Sequence, residues 1–262
     1  LAICEPQFFS SGLALRVKER GLNIVWSNEM MWAFKREAES VKEGLIDRVL
    51  WVSEFQANAF SEMYRNVPFA FTGNYIDPDD FCWIDRRHPT FTIGRLSRPD
   101  PEKYPYDFPV FYEELLPFET HFRVMAWNEE LSNQYKWHQF DPRWTRHKAN
   151  TIPTIDFLHS LDLFVYPLGH RIQESWGRSV VEAMLTGCVP LVPKGHQFHK
   201  LMKHEESGFI CGAFEEWQEY AHRLRFDYAY RLKTGRNSRE HARLELCSPE
   251  IHREIWENAL SL

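Results

Sequence analysis

Leu163-Phe-Val-Tyr-Pro167, then Leu168-Gly-His-Arg-Ile-Gln-Glu-Ser-Trp-Gly177, Arg178-Ser-Val-Val-Glu-Ala-Met-Leu-Thr186 and Gly187-Cys-Val-Pro-Leu-Val192 form one continuous run that decides the fold. The opening apolar residues read as a short buried strand and the second block as a loop. Arg178 to Thr186 carries helical spacing, and Gly187 stops that helix. Cys188 to Val192 returns as a strand. A strand, a helix and a second strand in this order make a parallel pair with a crossover helix. The helix N-terminus then faces the loop, where its backbone N–H groups and dipole attract a diphosphate. Gly177 permits close backbone approach. Glu174 lies in the loop before the helix and Glu182 one and a half turns inside it, so the two carboxylates can address different parts of one long ligand.

Outward from this run the same alternation recurs. Leu1–Cys4, Leu22–Trp26 and Arg48–Val52 read as strands. Helical patterns cover Gly12–Arg20, Met31–Gly44 and Glu54–Tyr64, the last capped by Ser53. Thr72-Gly-Asn-Tyr-Ile-Asp-Pro-Asp-Asp80 concentrates turn formers and reads as a linker. A fresh strand opens at Thr90-Phe-Thr-Ile93, and the alternation resumes through Phe118–Met125, Leu131–Tyr135, Thr154–Leu161 and Leu163–Tyr166. The expected fold is therefore α/β, with two Rossmann-like lobes built on parallel sheets. The expected division is a partial N-terminal lobe over 1–80, a larger lobe over 81–248 and a C-terminal helix over 249–262 that returns toward the first lobe. The N-terminal block is short enough to be read as incomplete, either because the chain is a fragment or because that lobe is reduced.

Composition narrows the function. The 262 residues carry a formal net charge of -6, so no basic face for nucleic acid is evident. One stretch, Arg223–Arg243, holds seven Lys/Arg against two acids. It reads as a solvated helix pair, with an acidic acceptor or an anionic membrane surface as the alternative partner. Five scattered cysteines form no Cys-x-x-Cys pair, which argues against a disulfide framework or structural zinc and favours a reducing, cytoplasmic setting. No apolar run approaches a membrane span. A Gly-x-Gly-x-x-Gly turn after a strand is missing, which weighs against a dinucleotide oxidoreductase.

The spacing Glu174-x7-Glu182, with Gly177 after the first Glu and Ala183 after the second, resembles the signature of the retaining GT-B glycosyltransferases of the large family four. The resemblance runs from Ser53 to the C-terminus and is strongest over Asp162–Pro190. It implies that Glu174 contacts the donor sugar and Glu182 the ribose hydroxyls of a nucleoside diphosphate sugar. Ile93-Gly-Arg-Leu-Ser-Arg-Pro-Asp-Pro-Glu-Lys103 is similar to the family's Gly-Arg-Leu run. By that likeness Arg95 and Lys103, with Arg98 as a substitute for either, hold the diphosphate and offset its leaving charge. Tyr104 stands where relatives have Gly after the Lys. Gly94, Ser175, Trp176, Gly177, Arg178 and Gly195 complete the expected donor site, Gly195 lying in the loop Pro193–His199 that approaches the sugar in relatives. Ser27–Trp32 stands where many relatives place a first-lobe His or Asp. The resemblance further implies transfer to an acceptor hydroxyl with retention, a UDP- or GDP-sugar donor, no other cofactor and no metal. Three alternatives remain at this level: a non-catalytic nucleotide-sugar-binding module or truncated subunit, an enzyme acting on modified DNA bases, and a glycogen-type or phosphorylase-like activity. Acceptor and oligomeric state are left open.

Overall fold

The computed structural model describes residues 1–261; position 262, the end of the helix expected over 249–262, lies outside the described residues. The chain divides into two compact units. Residues 1–75, 173–176 and the segment from Cys247 onward form the first, and residues 76–172 and 177–246 the second. The main division thus falls between Tyr75 and Ile76, inside the turn-rich stretch.

In the first unit β1 (Ala2–Ile3), β2 (Val25–Asn28), β3 (Arg48–Trp51) and β4 (Phe69–Phe71) pair in parallel, in chain order. Helices α1 (Gln7–Ser10), α2 (Leu13–Glu19), α3 (Glu37–Lys42) and α4 (Glu54–Phe60) connect them. Phe8, Phe9, Trp26, Val49, Trp51 and Tyr64 share one buried cluster. Ser53 caps α4, its Oγ accepting from Gln56 N at 3.0 Å. The long helix expected over Met31–Gly44 shrinks to Glu37–Lys42. Asn28 Oδ1 accepts from Met30 N at 2.8 Å, and the Glu37 carboxylate accepts from Phe34 N at 2.7 Å. These local bonds hold the preceding residues in turns that compete with helix.

The second unit carries β5 (Phe91–Leu96), β6 (Thr120–Met125), β7 (Trp144–His147), β8 (Leu163–Val165), β9 (Val189–Pro193) and β10 (Phe209–Cys211). They form one parallel sheet in the order β10-β9-β8-β5-β6-β7. Its helices are α5 (Phe108–Leu115), α6 (Glu129–Gln134), α7 (Thr154–His159), α8 (Arg178–Leu185), α9 (Phe198–Leu201), α10 (Phe214–Phe226) and α11 (Tyr228–His241). One face of the sheet packs α5 and α10 around Phe108, Tyr112, Phe122, Leu163, Leu191 and Trp217. The other carries α8 and α11, which lie against each other and against β9. Fully buried apolar side chains of this kind each contribute roughly 1.5–3 kcal/mol, so this sheet is a stiff platform for the loops at its carboxyl edge. A last helix, α12 (Pro249–Leu260), belongs to the first unit, where Ala259 and Trp256 meet Val25, Leu50 and Ala70. Arg48 Nη1 fastens it by donating to Ala259 O at 2.7 Å.

Candidate functional site

The order of the second sheet is that of a doubly wound fold. The chain winds from β5 outward through β6 and β7, then returns to β8 on the other side of β5. A crevice opens at the carboxyl ends of adjacent strands where the winding direction reverses, and such crevices take ligands. Here that point lies between β5 and β8. The Ser97–Lys103 loop leaves the first strand and the Tyr166–Gly177 loop leaves the second.

Arg95 organises the crevice floor from below. Its side chain is fully buried. Nη1 donates to Pro167 O at 2.6 Å, and Nη2 to Ser97 Oγ at 3.1 Å and Lys103 O at 3.3 Å. The guanidinium sits 4.0 Å from the Tyr104 ring centroid and 4.4 Å from that of Tyr166. A cation stripped of water needs such acceptors and aromatic faces. Through Nη1 and Nη2 the side chain ties the β5 loop to the end of β8, while its buried Nε has no hydrogen-bond partner among the described residues. Gly94 precedes it on β5. A Cβ there would lie 2.2 Å from Arg123 O, so this glycine exists for the close approach of β5 and β6.

Above that floor, Asp100 Oδ1 accepts from Glu102 N at 3.0 Å and opens a single 3-10 turn, Pro101–Lys103. The turn rests on the next loop at Gly169, where a Cβ would meet Glu102 O at 2.1 Å. Lys103 on this turn is 7% exposed, and Arg98 stands at the surface. Topology thus brings the β5-loop cations beside the loop that leads into α8.

Gly177 begins α8 with φ 100°, and no side chain caps the helix. A Cβ at Gly177 would also press on the Phe198 ring at 2.9 Å. Position 177 therefore demands glycine twice over, by backbone conformation and by packing. One turn in, Glu182 Oε1 accepts from Arg178 Nε at 3.0 Å, with 12% of the Glu182 side chain exposed against 57% for Arg178. Burial raises the Glu182 pKa, and the Arg178 charge and hydrogen bond oppose that rise. A carboxylate kept partly dry beside a cleft can accept from hydroxyl donors as well as from an Arg. In the loop after β9, Gly195 adopts φ 95° and its neighbour His196 φ 55°, which shape a tight reversal. Beside these loops lies a hollow of about 320 Å³ whose lining includes Pro167, Leu168, His170, Pro193 and Phe214.

The remaining predicted residues belong to the first unit. Gln173–Trp176 clusters with it, whereas Gly177 and all of α8 belong to the second. Ser175 Oγ donates to Glu29 O at 2.8 Å, and the buried Trp176 places its Nε1 beside Gly73. Glu174 on this segment is half-buried. Sequence reasoning missed the buried Glu37 beneath this unit's sheet edge. It accepts from Trp26 Nε1 at 2.8 Å, from Asn28 Nδ2 at 3.2 Å and from Tyr64 Oη. The signal available was Glu37 among helix-competing residues, which periodicity alone does not flag. Among the described residues no group of three His, Cys, Asp or Glu is arranged to hold a metal ion, and no helix is long and apolar enough to cross a membrane.

Two Rossmann-like parallel sheets, with a crevice at the winding switch of the larger one, define the GT-B architecture of glycosyltransferases. Residues 117–241 match the family model described as Glycosyl transferases group 1, a span just short of half the chain. HepE of Anabaena, solved in complex with UDP-glucose, superposes with a TM-score of 0.76 at 17% identity, covering 98% of this chain and 77% of that one. TarM superposes at 0.78 with 14% identity over 100% of this chain and 54% of its own. Sucrose-phosphate synthase from Thermosynechococcus elongatus gives 0.78 at 12% identity over 98% and 72%. No curated protein sequence matches the chain significantly. The likeness to group 1 glycosyl transferases thus lies in residues 117–241, and the solved structures share the two-sheet GT-B fold.

Proposed function

We propose that this chain transfers a glycosyl group from a nucleoside diphosphate sugar to an acceptor hydroxyl with retention of anomeric configuration. The observation that carries the reading is Glu182: a partly desolvated carboxylate on an uncapped helix, α8, that starts at the winding switch of a doubly wound sheet. In this reading Glu182 releases Arg178 and accepts from both ribose hydroxyls. The α8 N-terminus, Lys103 and Arg98 receive the diphosphate, and Glu174 contacts the sugar. Gly195 and the Pro193–His199 loop border it, while Ser175 and Trp176 hold the Glu174 segment in place. Arg95 acts as a positioning residue, because it fixes the loop that bears Lys103.

Charge grows on the diphosphate as the anomeric bond breaks, so donors aimed there stabilise the transition state more than the ground state. The leaving phosphate oxygen then takes the acceptor proton on the same face, and no separate strong base is required. HepE was captured with UDP-glucose, which makes UDP the first nucleotide to try here. A thermal-shift screen against UDP, GDP, ADP, CMP and their sugar conjugates tests the reading. One nucleotide should raise Tm, and Glu182→Ala should lose that rise. A screen in which no nucleotide shifts the wild type would mean that the likeness marks ancestry only, with a fragment or non-binding module as the better account.

A further inference from the structure

The far end of α8 carries a second constellation. The helix stops at Gly187, where φ is 74° and a Cβ would lie 2.1 Å from Trp83 Cζ3. Gly235, in the middle of α11, packs on the same turn: its Cβ would sit 2.5 Å from Gly187 O, and 3.6 Å, an ordinary contact, from the indole. A glycine inside a helix costs about 1 kcal/mol relative to Ala, and here the cost is borne where α11 presses on the end of α8 beside Trp83. The ring is only half-buried. Its remaining surface lines a groove of about 380 Å³ shared with Arg236, Arg239, Glu240, Arg243 and Leu244.

Three guanidinium groups therefore face one groove against a single carboxylate in its lining. Arg236 has no ion pair within 4 Å among the described residues, and its charge acts on the Asp85 carboxylate. Arg243 meets only Asp79, at 3.8 Å, and Asp79 is itself exposed. Arg239 is held in place, because its Nη1 donates to Phe81 O and to Leu185 O. Burial, and next the Arg243 charge, lower its pKa, while Cys82 and Asp79 oppose the shift. Arg236, Arg239 and Arg243 follow i, i+3, i+7 spacing along one helical stripe. Arg243 and Leu244 lie in the π-helical turn Ala242–Leu246, a distortion that recurs at functional sites. An ordinary solvated helix face needs neither an indole seated against a left-handed glycine nor a prearranged guanidinium.

We propose that this groove binds a small phosphate monoester carrying a flat ring, with the phosphate on Arg236, Arg239 and Arg243 and the ring on Trp83. Guanidinium forks match phosphate oxygens, and an indole face stacks on a nucleobase or on the apolar face of a sugar. The site lies at the opposite end of α8 from the crevice and does not depend on the donor assignment. Nitrogen-15 labelling of the tryptophan indoles, with Trp83→Phe to assign the Trp83 signal, reads it directly. The probes are AMP, ribose 5-phosphate, inorganic phosphate and adenosine. AMP should shift the Trp83 signal saturably, and adenosine should not. Ribose 5-phosphate should bind as tightly as AMP if a sugar ring suffices, and more weakly if a nucleobase is required. The surface variant R236Q/R243Q should weaken AMP binding at least tenfold. An unmoved Trp83 signal with all probes, equal binding of adenosine, or unchanged AMP binding in R236Q/R243Q overturns the proposal. None of these readouts requires that UDP bind the crevice.

Discussion

The two units bury charge in opposite senses. The first sinks a carboxylate, Glu37, and surrounds it with donors: the Trp26 indole, the Asn28 amide, the Tyr64 hydroxyl and the Phe34 backbone N–H. The second sinks a guanidinium, Arg95, and surrounds it with a hydroxyl, two carbonyls and two aromatic rings. Neither buried charge has an oppositely charged side chain among these hydrogen-bond partners; dipoles surround each. The lesson concerns function. A buried ion ringed by dipoles acts as a structural fastener, whereas Glu182, paired with the exposed Arg178, is the carboxylate proposed to meet a ligand.

The comparison is broken most readily at Glu37. Glu37→Ala strands several buried donors at once, each with no water to turn to. Deleting one partner of a buried charged network costs about 3–5 kcal/mol, so urea unfolding should show a loss of that size. Glu37→Gln, which keeps one acceptor oxygen, should lose clearly less. An alanine variant as stable as wild type would mean that the pocket is wet and the network incidental.

At Arg95 the same logic gives a smaller but more discriminating effect. Arg95→Ala should cost about 2–4 kcal/mol, since three acceptors and two ring contacts go with it. Arg95→Lys keeps the charge but not the fork, so it should also destabilise. Nucleotide affinity should fall only as far as the Lys103 turn loosens. If instead Arg95→Lys left stability intact and abolished nucleotide binding, the guanidinium would be a ligand contact and the contrast with Glu182 would fail.

Much of this was legible before the structure. The run from Leu163 to Val192 announced its strands and helix because buried parallel strands are continuously apolar and Gly187 ends the helix where expected. Among the elements that escaped reading were two edge strands. Phe69–Phe71 and Trp144–His147 sit at the ends of their sheets, and the latter exposes Thr145 and Arg146. One-sided burial over three or four residues is too short for periodicity to register. The orientation of Arg95 was out of reach for another reason. A motif states which residue types recur, but the direction in which a side chain leaves β5 depends on pleat and register. Glu37 was invisible because its partners come from Trp26, Asn28, Phe34 and Tyr64, which only the fold assembles.

Glu182 gives the smallest effect on stability and the sharpest separation of roles. Burial raises its pKa above the ordinary value of 4.5, so the folded state holds that proton more tightly than the unfolded chain does. The associated stability is fully present below pH 4.5 and is lost as pH rises through the elevated value. Glu182→Gln cannot ionise and should escape that loss. Its stability relative to wild type should therefore rise across mildly acidic pH and stay higher at neutrality, as followed by Tm against pH. Removing the Arg178 charge, which opposes the shift, should move the wild-type transition to higher pH. Nucleotide affinity should go the other way: Glu182→Gln loses charge-assisted bonds to hydroxyls, a deficit of roughly tenfold or more in Kd. A residue that weakens the fold at the pH where it strengthens binding is retained for its ligand. If Glu182→Gln proved less stable at neutral pH and bound nucleotide normally, Glu182 would join Glu37 and Arg95 as part of the scaffold.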